Sequence, residues 1–564
     1  MKISKLVLFF LAAILVSTLA TAQKVTKAPK EVTGLYEGIE FQMSPVKEPV
    51  IPANTVSITS FGAKSGGQSL CTSAFSGAIE ALSKRGGGRL IIPRGTWLTG
   101  PITMKSNIEL HTEAGALIVF STDKNLYPLV STNFEGFDTY RCMSPINGRN
   151  LENIGITGDG IFDGSGDVWR AVKKEKLTES QWKKLVASGG LVSQNGKTWY
   201  PSQQFIDGEK VAEMNVPRSL KTQAEFERIK DFLRPVMVSL VSCKKVLLDG
   251  PTFQNSPAWC IHPLLCEDLT VRNLTVRNPW YSQNGDGIDI ESCKNAIVHD
   301  SNFDVGDDAI CIKSGKDKEG RDRGIPTENL IVKNCIVYHG HGGVTVGSEM
   351  SGGVRNMHVS NCTFLGTDVG LRFKSNRGRG GVVEDIYISN IEMINIPTQA
   401  ISFNLYYSGK SPGEDSDGAE GQLPKLLPVT EETPQFKNIF IHDVNCKGAN
   451  QGIFLQGLPE MNLQNIQLSN IQMEADYGLI CSDVSGVKIK NLTLITKKGP
   501  VVDLKSSTDL NIDGLSGSNE RLPIIHISGS RTGKITFKNS GVTDATKQLV
   551  IENEVNKELI QIIK

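Results

Sequence analysis

The sequence predicts an all-β chain: a parallel β-helix with an N-terminal capping helix and helical and loop insertions. Three observations predict it. From about residue 268 one phrase keeps returning: alternating apolar residues, an Asn or Asp, more apolar residues, then a small residue and a second alternating run. Its Asn/Asp column is Asn273, Asp300, Asn334, Asn361, Asn390, Asp443, Asn470 and Asn491, at intervals mostly in the twenties. That period, built of short β-branched runs, is the signature of a stacked solenoid. Asn tolerates left-handed turns, and stacked Asn side chains can bond along a ladder. The second runs also align, from Gly287–Ser292 through Ala309–Ser314, Gly343–Ser348, Gly370–Ser375 and Ala400–Asn404 to Gly452–Gln456. Strand alternation turns Ile288, Ile310, Val344, Leu371, Ile401 and Ile453 inward, with the residues two further on. Asp289, Glu291, Lys313, Arg372 and Lys374 then face outward. Finally, amphipathic helical patterns are nearly absent here, so helical repeats fit poorly.

The flanking elements follow in chain order. Residues 1–22 have the form of a secretory signal: Lys2 and Lys5, an apolar run Leu6–Val16, and Ala20-Thr21-Ala22 before Gln23. The run is short for a membrane span. Export to a periplasm or the medium is expected, with no membrane anchor after signal removal. Residues 23–55 read as an extended leader and 56–564 as a single β-helix domain. Thr72–Lys84 puts Phe75, Ile79 and Leu82 on one helical side, as a cap over the open end of the stack requires. Insertions fall near 165–234, 315–324 and 408–434. The first contains the capping-box pattern Thr178-Glu-Ser-Gln181 and a second helical stretch near Glu225–Leu233. Solenoid insertions become loops, often on the binding face.

Composition narrows the partners. Lys+Arg and Asp+Glu both number 60, giving a formal charge of zero. No general attraction to nucleic acid or anionic membrane follows, so an acidic ligand must meet a local basic patch. A monomer is expected. Eleven Cys is an odd number, so at least one is unpaired within the chain. Several lie in apolar runs (Cys311, Cys335, Cys362, Cys481) and read as buried small hydrophobes. No zinc-type spacing occurs, and no metal or cofactor is expected.

The register assembles a site. Asp286 falls beside Asp308 and Gly342, and Gly285 beside Asp307 and His341. Arg372 and Lys374 lie one coil later. A coil spacing of about 4.8 Å packs these groups into a patch roughly 15 Å tall. Crowded carboxylates raise at least one pKa. An Asp ladder at a turn or a calcium site is the plainer reading of two acids alone, but His341, Arg372 and Lys374 beside them favour catalysis. Glycoside hydrolysis needs this set, one acid protonated and one ionised. Adjacent coils suggest a carboxylate gap of about 6–7 Å, at the lower edge of the roughly 6.5–9.5 Å of inverting enzymes. Arg372 and Lys374 suit a uronate. Asp307 and Asp308 would point to opposite faces of a strand. Both reach the site only from a turn, which Gly306 is expected to permit through its backbone freedom.

Asn284-Gly285-Asp286, Gly306-Asp307-Asp308, Gly340-His341-Gly342 and Arg372-Phe373-Lys374, in that order, resemble the motifs of the polygalacturonases of glycoside hydrolase family 28, in particular its bacterial exo-acting group. The resemblance spans about residues 55–510 without the insertions. The chain departs from the family pattern at Gly285, where the family has Thr, and at Phe373, where it has Ile. The resemblance implies a right-handed, pectin-lyase-like β-helix that hydrolyses α-galacturonosidic bonds of pectin or oligogalacturonides with inversion. It implies Asp307 as general acid, Asp286 and Asp308 as the groups that position and activate water, and His341 as the group keeping Asp307 protonated. Arg372 and Lys374 hold galacturonate, with Asn284, Tyr406 (rather than Tyr407) and Glu349 as further substrate contacts. Asp289 is expected to be a structural neighbour. The insertions are expected to wall one end and give exo action. Rhamnogalacturonan or xylogalacturonan hydrolysis, a calcium-dependent pectate lyase and a non-catalytic polysaccharide-binding β-helix are the alternatives.

Overall fold

The computed structural model describes residues 32–407, 426–518, 524–542 and 548–563. The signal-like residues 1–22 and most of the 408–434 insertion lie outside them. Residues 1–38 form a body of their own, holding the 3-10 turn Val32–Leu35.

A coil in the middle of the solenoid is three short strands, whereas later coils such as Val382–Asn404 and Gln435–Gln456 run as one long bent strand. Ile288–Glu291, Lys294–His299 and Asn302–Asp304 make one coil, and each pairs in parallel with its counterpart in the next. The expected register holds through Ile288↔Ile310, Ile310↔Val344, Val344↔Leu371, Leu371↔Ile401 and Ile401↔Ile453. The inward residues of these strands are at most 1% exposed. Each such side chain contributes about 1.5–3 kcal/mol by leaving water. Phe373 stacks on Phe403 of the next coil, centroids 4.3 Å apart.

The Asn/Asp column turns each coil. Its eight members have φ between 49° and 57°. Asn361 donates to Asn334 and Asn334 to Asp300, both at 3.3 Å, and Asn491 donates to Asn470 at 2.9 Å. A second ladder, unread in the sequence, runs from Asn356 to Asn329 to Asn295 at 3.0 Å per step.

The solenoid begins earlier and ends later than the repeat suggests. Thr55–Ser57, Gly88–Ile92, Ile108–Thr112, Glu152–Gly158 and Lys244–Asp249 already stack in parallel. Coils continue past residue 510 through Ile535–Lys538 to Ile560–Ile563. The cap helix spans Thr72–Lys84 and buries Phe75, Ile79 and Leu82. Gly88 follows it with φ +150°, where a Cβ would strike the Asn54 carbonyl and Leu82. Residues 39–55 of the leader form a strap along the coils. Phe41 lies 6.3 Å from Tyr387, Glu40 pairs with His358 at 2.8 Å, and Glu48 pairs with Arg272.

The 165–234 insertion carries helices Glu179–Ala187, Gln203–Val211 and Gln223–Glu227, the first and third opened by capping boxes on Thr178 and Thr222. Trp169, Phe205, Phe226, Phe232 and Leu233 form its small core. The 315–324 insertion folds as the short helix Asp317–Arg323. All eleven cysteines are free and buried.

Candidate active site

The site grows from the turns that enter one sheet of the solenoid. Asp286 lies two residues before the strand Ile288–Glu291, and Asp307 and Asp308 lie in the bend before Ile310–Lys313. Both aspartates of the bend therefore reach the same pocket. Gly306 is needed there, but not for a left-handed conformation. A Cβ would fall 2.5 Å from the Pro279 carbonyl oxygen and from Ser282 Oγ, so the glycine admits the preceding turn. Ser282 also fills the space that a side chain at Gly285 would take, its hydroxyl donating to the Pro279 carbonyl at 2.6 Å.

Asp308 is the fixed anion. Lys374 Nζ donates to it at 2.7 Å, Arg372 Nη1 at 3.0 Å and Thr345 Oγ1 at 3.0 Å. Burial opposes its charge, but Lys374 and Arg372 outweigh that and hold the carboxyl well below the usual range. Asp286 is the opposite case. It is 3% exposed, and its Oδ1 has no hydrogen-bond partner. Burial, then Asp289 and Asp307, push its carboxyl well above the usual range. Asp308, Asp286 and Cys311 present atoms within 4.8 Å of one another, the one such group of potential metal ligands among the described residues. Lys374 and Arg372 already supply positive charge to Asp308.

Asp307 stands at the mouth, its side chain 23% exposed and that of His341 50% exposed. His341 Nδ1 lies 3.1 Å from Asp307 Oδ1, which also accepts the Asp308 N–H at 3.0 Å. The far nitrogen of His341 is 3.7 Å from Asp368. The hydrogen bond to Asp307, against some burial, lifts the imidazole above its ordinary value.

The expected tyrosine is misplaced by one residue. Tyr406 is 7% exposed, packs in the core and faces Arg377. Tyr407 lines the pocket, with Lys374 Nζ 4.9 Å and Arg372 Cζ 5.7 Å from its ring. Asn284 lines it too, its Oδ1 held by the buried Arg234 at 2.8 Å. Glu349 is also in the wall, paired with Lys313 at 2.9 Å. Strand alternation alone puts Lys313 on the outward face and says nothing of its part in the site. It is buried, 3.6 Å from Asp289 and 4.8 Å from the centre of the Trp259 ring. Alternation reveals which side a residue faces, not what covers that side.

Four segments provide the cover. Leu129–Phe134 and Phe137–Cys142 form a hairpin whose tip, Glu135-Gly136, rests on the Lys316 backbone. Two runs flanking a Glu-Gly pair, both with positive φ, are a hairpin signal that the sequence analysis did not use. Arg218 of the large insertion pairs with Glu319 at 3.0 Å. Asp317 pairs with Arg379, and Arg321 reaches Glu432 at 3.4 Å. The result is a pocket of about 140 Å³ holding Asp286, Asp307, Asp308, Lys313, Glu349 and Glu135 in its lining. That is far below the roughly 300–1,000 Å³ that accommodates a drug-sized ligand.

The family model for glycosyl hydrolases family 28 matches residues 206–420. An exo-poly-alpha-D-galacturonosidase of Dickeya chrysanthemi is 27% identical over 467 residues, 81% of this chain and 73% of the relative. An endo-polygalacturonase of Pectobacterium carotovorum subsp. carotovorum is 25% identical over 383 residues, 66% of this chain and 78% of the relative. The crystal structure of a hyperthermoactive exopolygalacturonase from Thermotoga maritima superposes with a TM-score of 0.63 at 36% identity, covering 76% of this chain and 89% of that one. With that identity over most of both chains, on a β-helix that carries this acid-lined pocket, the protein belongs to glycosyl hydrolase family 28.

Proposed function

We propose that the protein is an inverting polygalacturonase that removes single galacturonate units from the ends of pectic chains. One observation supports exo action above all: the hydrogen-bonded pair His341–Asp307 stands at the mouth, while the pocket behind it, of about 140 Å³, has room for about one sugar. The sugar inside is the one released, and the rest of the polymer extends outward past His341.

The residues divide the work. Asp307, hydrogen-bonded to His341, delivers a proton to the leaving oxygen. Asp286 takes a proton from water, because its Oδ1 is unpartnered whereas the oxygens of Asp308 are engaged by Lys374, Arg372 and Thr345. Asp308 therefore orients the two cations rather than acting as a base. Lys374 and Tyr407 form the side of the pocket that meets the uronate, with Arg372 beside them. The signal-like residues 1–22 favour export, which brings the enzyme to its polymer, and the protein acts as a monomer.

The test is product analysis on homogalacturonan and on rhamnogalacturonan I. Monomeric galacturonate released from homogalacturonan with slow loss of viscosity is the expected result. Early viscosity collapse, or unsaturated products, counts against it. Asp307→Asn should lower kcat about 10²–10⁴-fold while oligogalacturonide binding persists.

A further inference from the structure

Glu135 has no part in the chemistry above, yet it is built into the pocket. It sits at the tip of the Leu129–Cys142 hairpin, in a left-handed conformation (φ 50°) that a residue with a long side chain rarely adopts. It is 6% exposed and lines the same pocket as the catalytic aspartates. One oxygen is held: Asn215, from the large insertion, donates to Oε1 at 2.5 Å. The other, Oε2, is buried with no hydrogen-bond partner. An unpartnered buried carboxyl oxygen is costly, and backbone strain of this kind persists where the surroundings over-determine it. Two separate insertions thus hold this carboxyl in the pocket lining with one oxygen unpartnered.

The chemistry of the substrate says what that oxygen meets. In a 1,4-linked galacturonan every internal C4 oxygen is part of a glycosidic bond. Only the non-reducing end carries a free C4 hydroxyl. C1 and C4 lie at opposite ends of a pyranose. With C1 at Asp307 in the mouth, C4 points into the pocket, whose lining includes Glu135.

We propose that Glu135 is the residue that reads the chain end, exchanging a hydrogen bond with the C4 hydroxyl of the terminal galacturonate. The inference rests on the exo-polygalacturonase reading given above. Burial, with Glu349 nearby, favours the protonated form of Glu135 despite the Asn215 bond, so the group can donate as well as accept. The uronate itself is met elsewhere, by the cations, and Glu135 governs specificity rather than the bond-breaking step.

The experiment compares trigalacturonate with the same trisaccharide 4-deoxygenated at its non-reducing end. Wild-type, Glu135→Gln and Glu135→Ala enzymes are assayed on both. The wild type should prefer the hydroxylated substrate on the order of 10²-fold or more in kcat/KM, as sites built around a substrate hydroxyl do. In Glu135→Ala the preference should fall below about tenfold through loss on the hydroxylated substrate alone, while activity on the deoxy substrate stays within about threefold of wild type. That unchanged activity also reports correct folding. Glu135→Gln should keep part of the preference. Equal losses on both substrates in both variants, an unchanged preference in Glu135→Ala, or a wild type indifferent to C4 would each overturn the assignment. A wild type that releases galacturonate but is indifferent to C4 refutes only Glu135's role. One that cleaves neither substrate refutes the exo-polygalacturonase reading and this inference together.

Discussion

Lys313 and Asp308 set the electrostatics of the pocket, and each stands in a buried cluster of opposite charges. Removing one partner of such a cluster is expensive, because the others remain buried without compensation. Lys313→Met should cost about 3–5 kcal/mol in denaturant unfolding at neutral pH. Burial alone would push Glu349 up, but Lys313 and Arg379 now hold it below the usual carboxylate range. Without Lys313 its folded pKa should rise toward or above its unfolded value. The deficit should therefore shrink as pH falls and Glu349 protonates, and a deficit independent of pH would refute this account. Activity should follow a bell. Asp286 must lose its proton to act as a base, and burial with acidic neighbours raises its pKa, so the acid limb should lie above the ordinary value of about 3.9. His341 is raised by its hydrogen bond to Asp307, so the alkaline limb should lie above about 6.5. A profile of kcat/KM against pH measures both. Most single residues of the site were legible because the register put Asp286, Asp308 and Gly342 in line. Tyr407 was not, because the choice between two adjacent tyrosines depends on how the chain leaves its strand.

Among the elements, the proposed exo action rests on the insertions. The hairpin Leu129–Cys142 forms part of the end wall and carries Glu135. Replacing residues 132–139 with a two-residue turn should open the wall, so viscosity falls faster for each reducing end released. An unchanged ratio would mean that the hairpin does not close the groove. The helices of the large insertion depend on their caps. Thr178→Ala and Thr222→Ala each remove one capping box and should cost about 1 kcal/mol, read as earlier thermal unfolding. The Thr178 box was readable from four residues of sequence, because a cap is a local interaction. Gln203–Val211 and the hairpin went unread. The first owes its burial to Phe232, distant in the chain, and the second lies in coils where the repeat phrase is too weak to set off an insertion.

At the scale of the molecule, stability is a sum of stacked interfaces. Ile312→Ala in a central coil should cost about 2–5 kcal/mol. Hydrogen exchange should then speed up mainly in the coils on either side, whereas uniform loss of protection would point to one all-or-none unit. The strap adds a long-range tie, since Glu40 and Glu48 reach coils carrying His358 and Arg272. Its sequence gave no such sign, being read only as an extended leader. Periodicity alone is enough for the solenoid, its inward face, the cap helix and the row of turns bearing Asp286, Asp307, Asp308 and His341, because each depends on residues two positions or one coil apart. What covers the outward face is a different kind of question. That Lys313 and Glu349 are buried, that Asp286 has an oxygen with no partner while Asp308 is engaged by Lys374, Arg372 and Thr345, and that Glu135 lines the pocket all depend on segments up to about 200 residues apart packing over the same coils. No local pattern encodes such meetings; the folded chain alone brings them about.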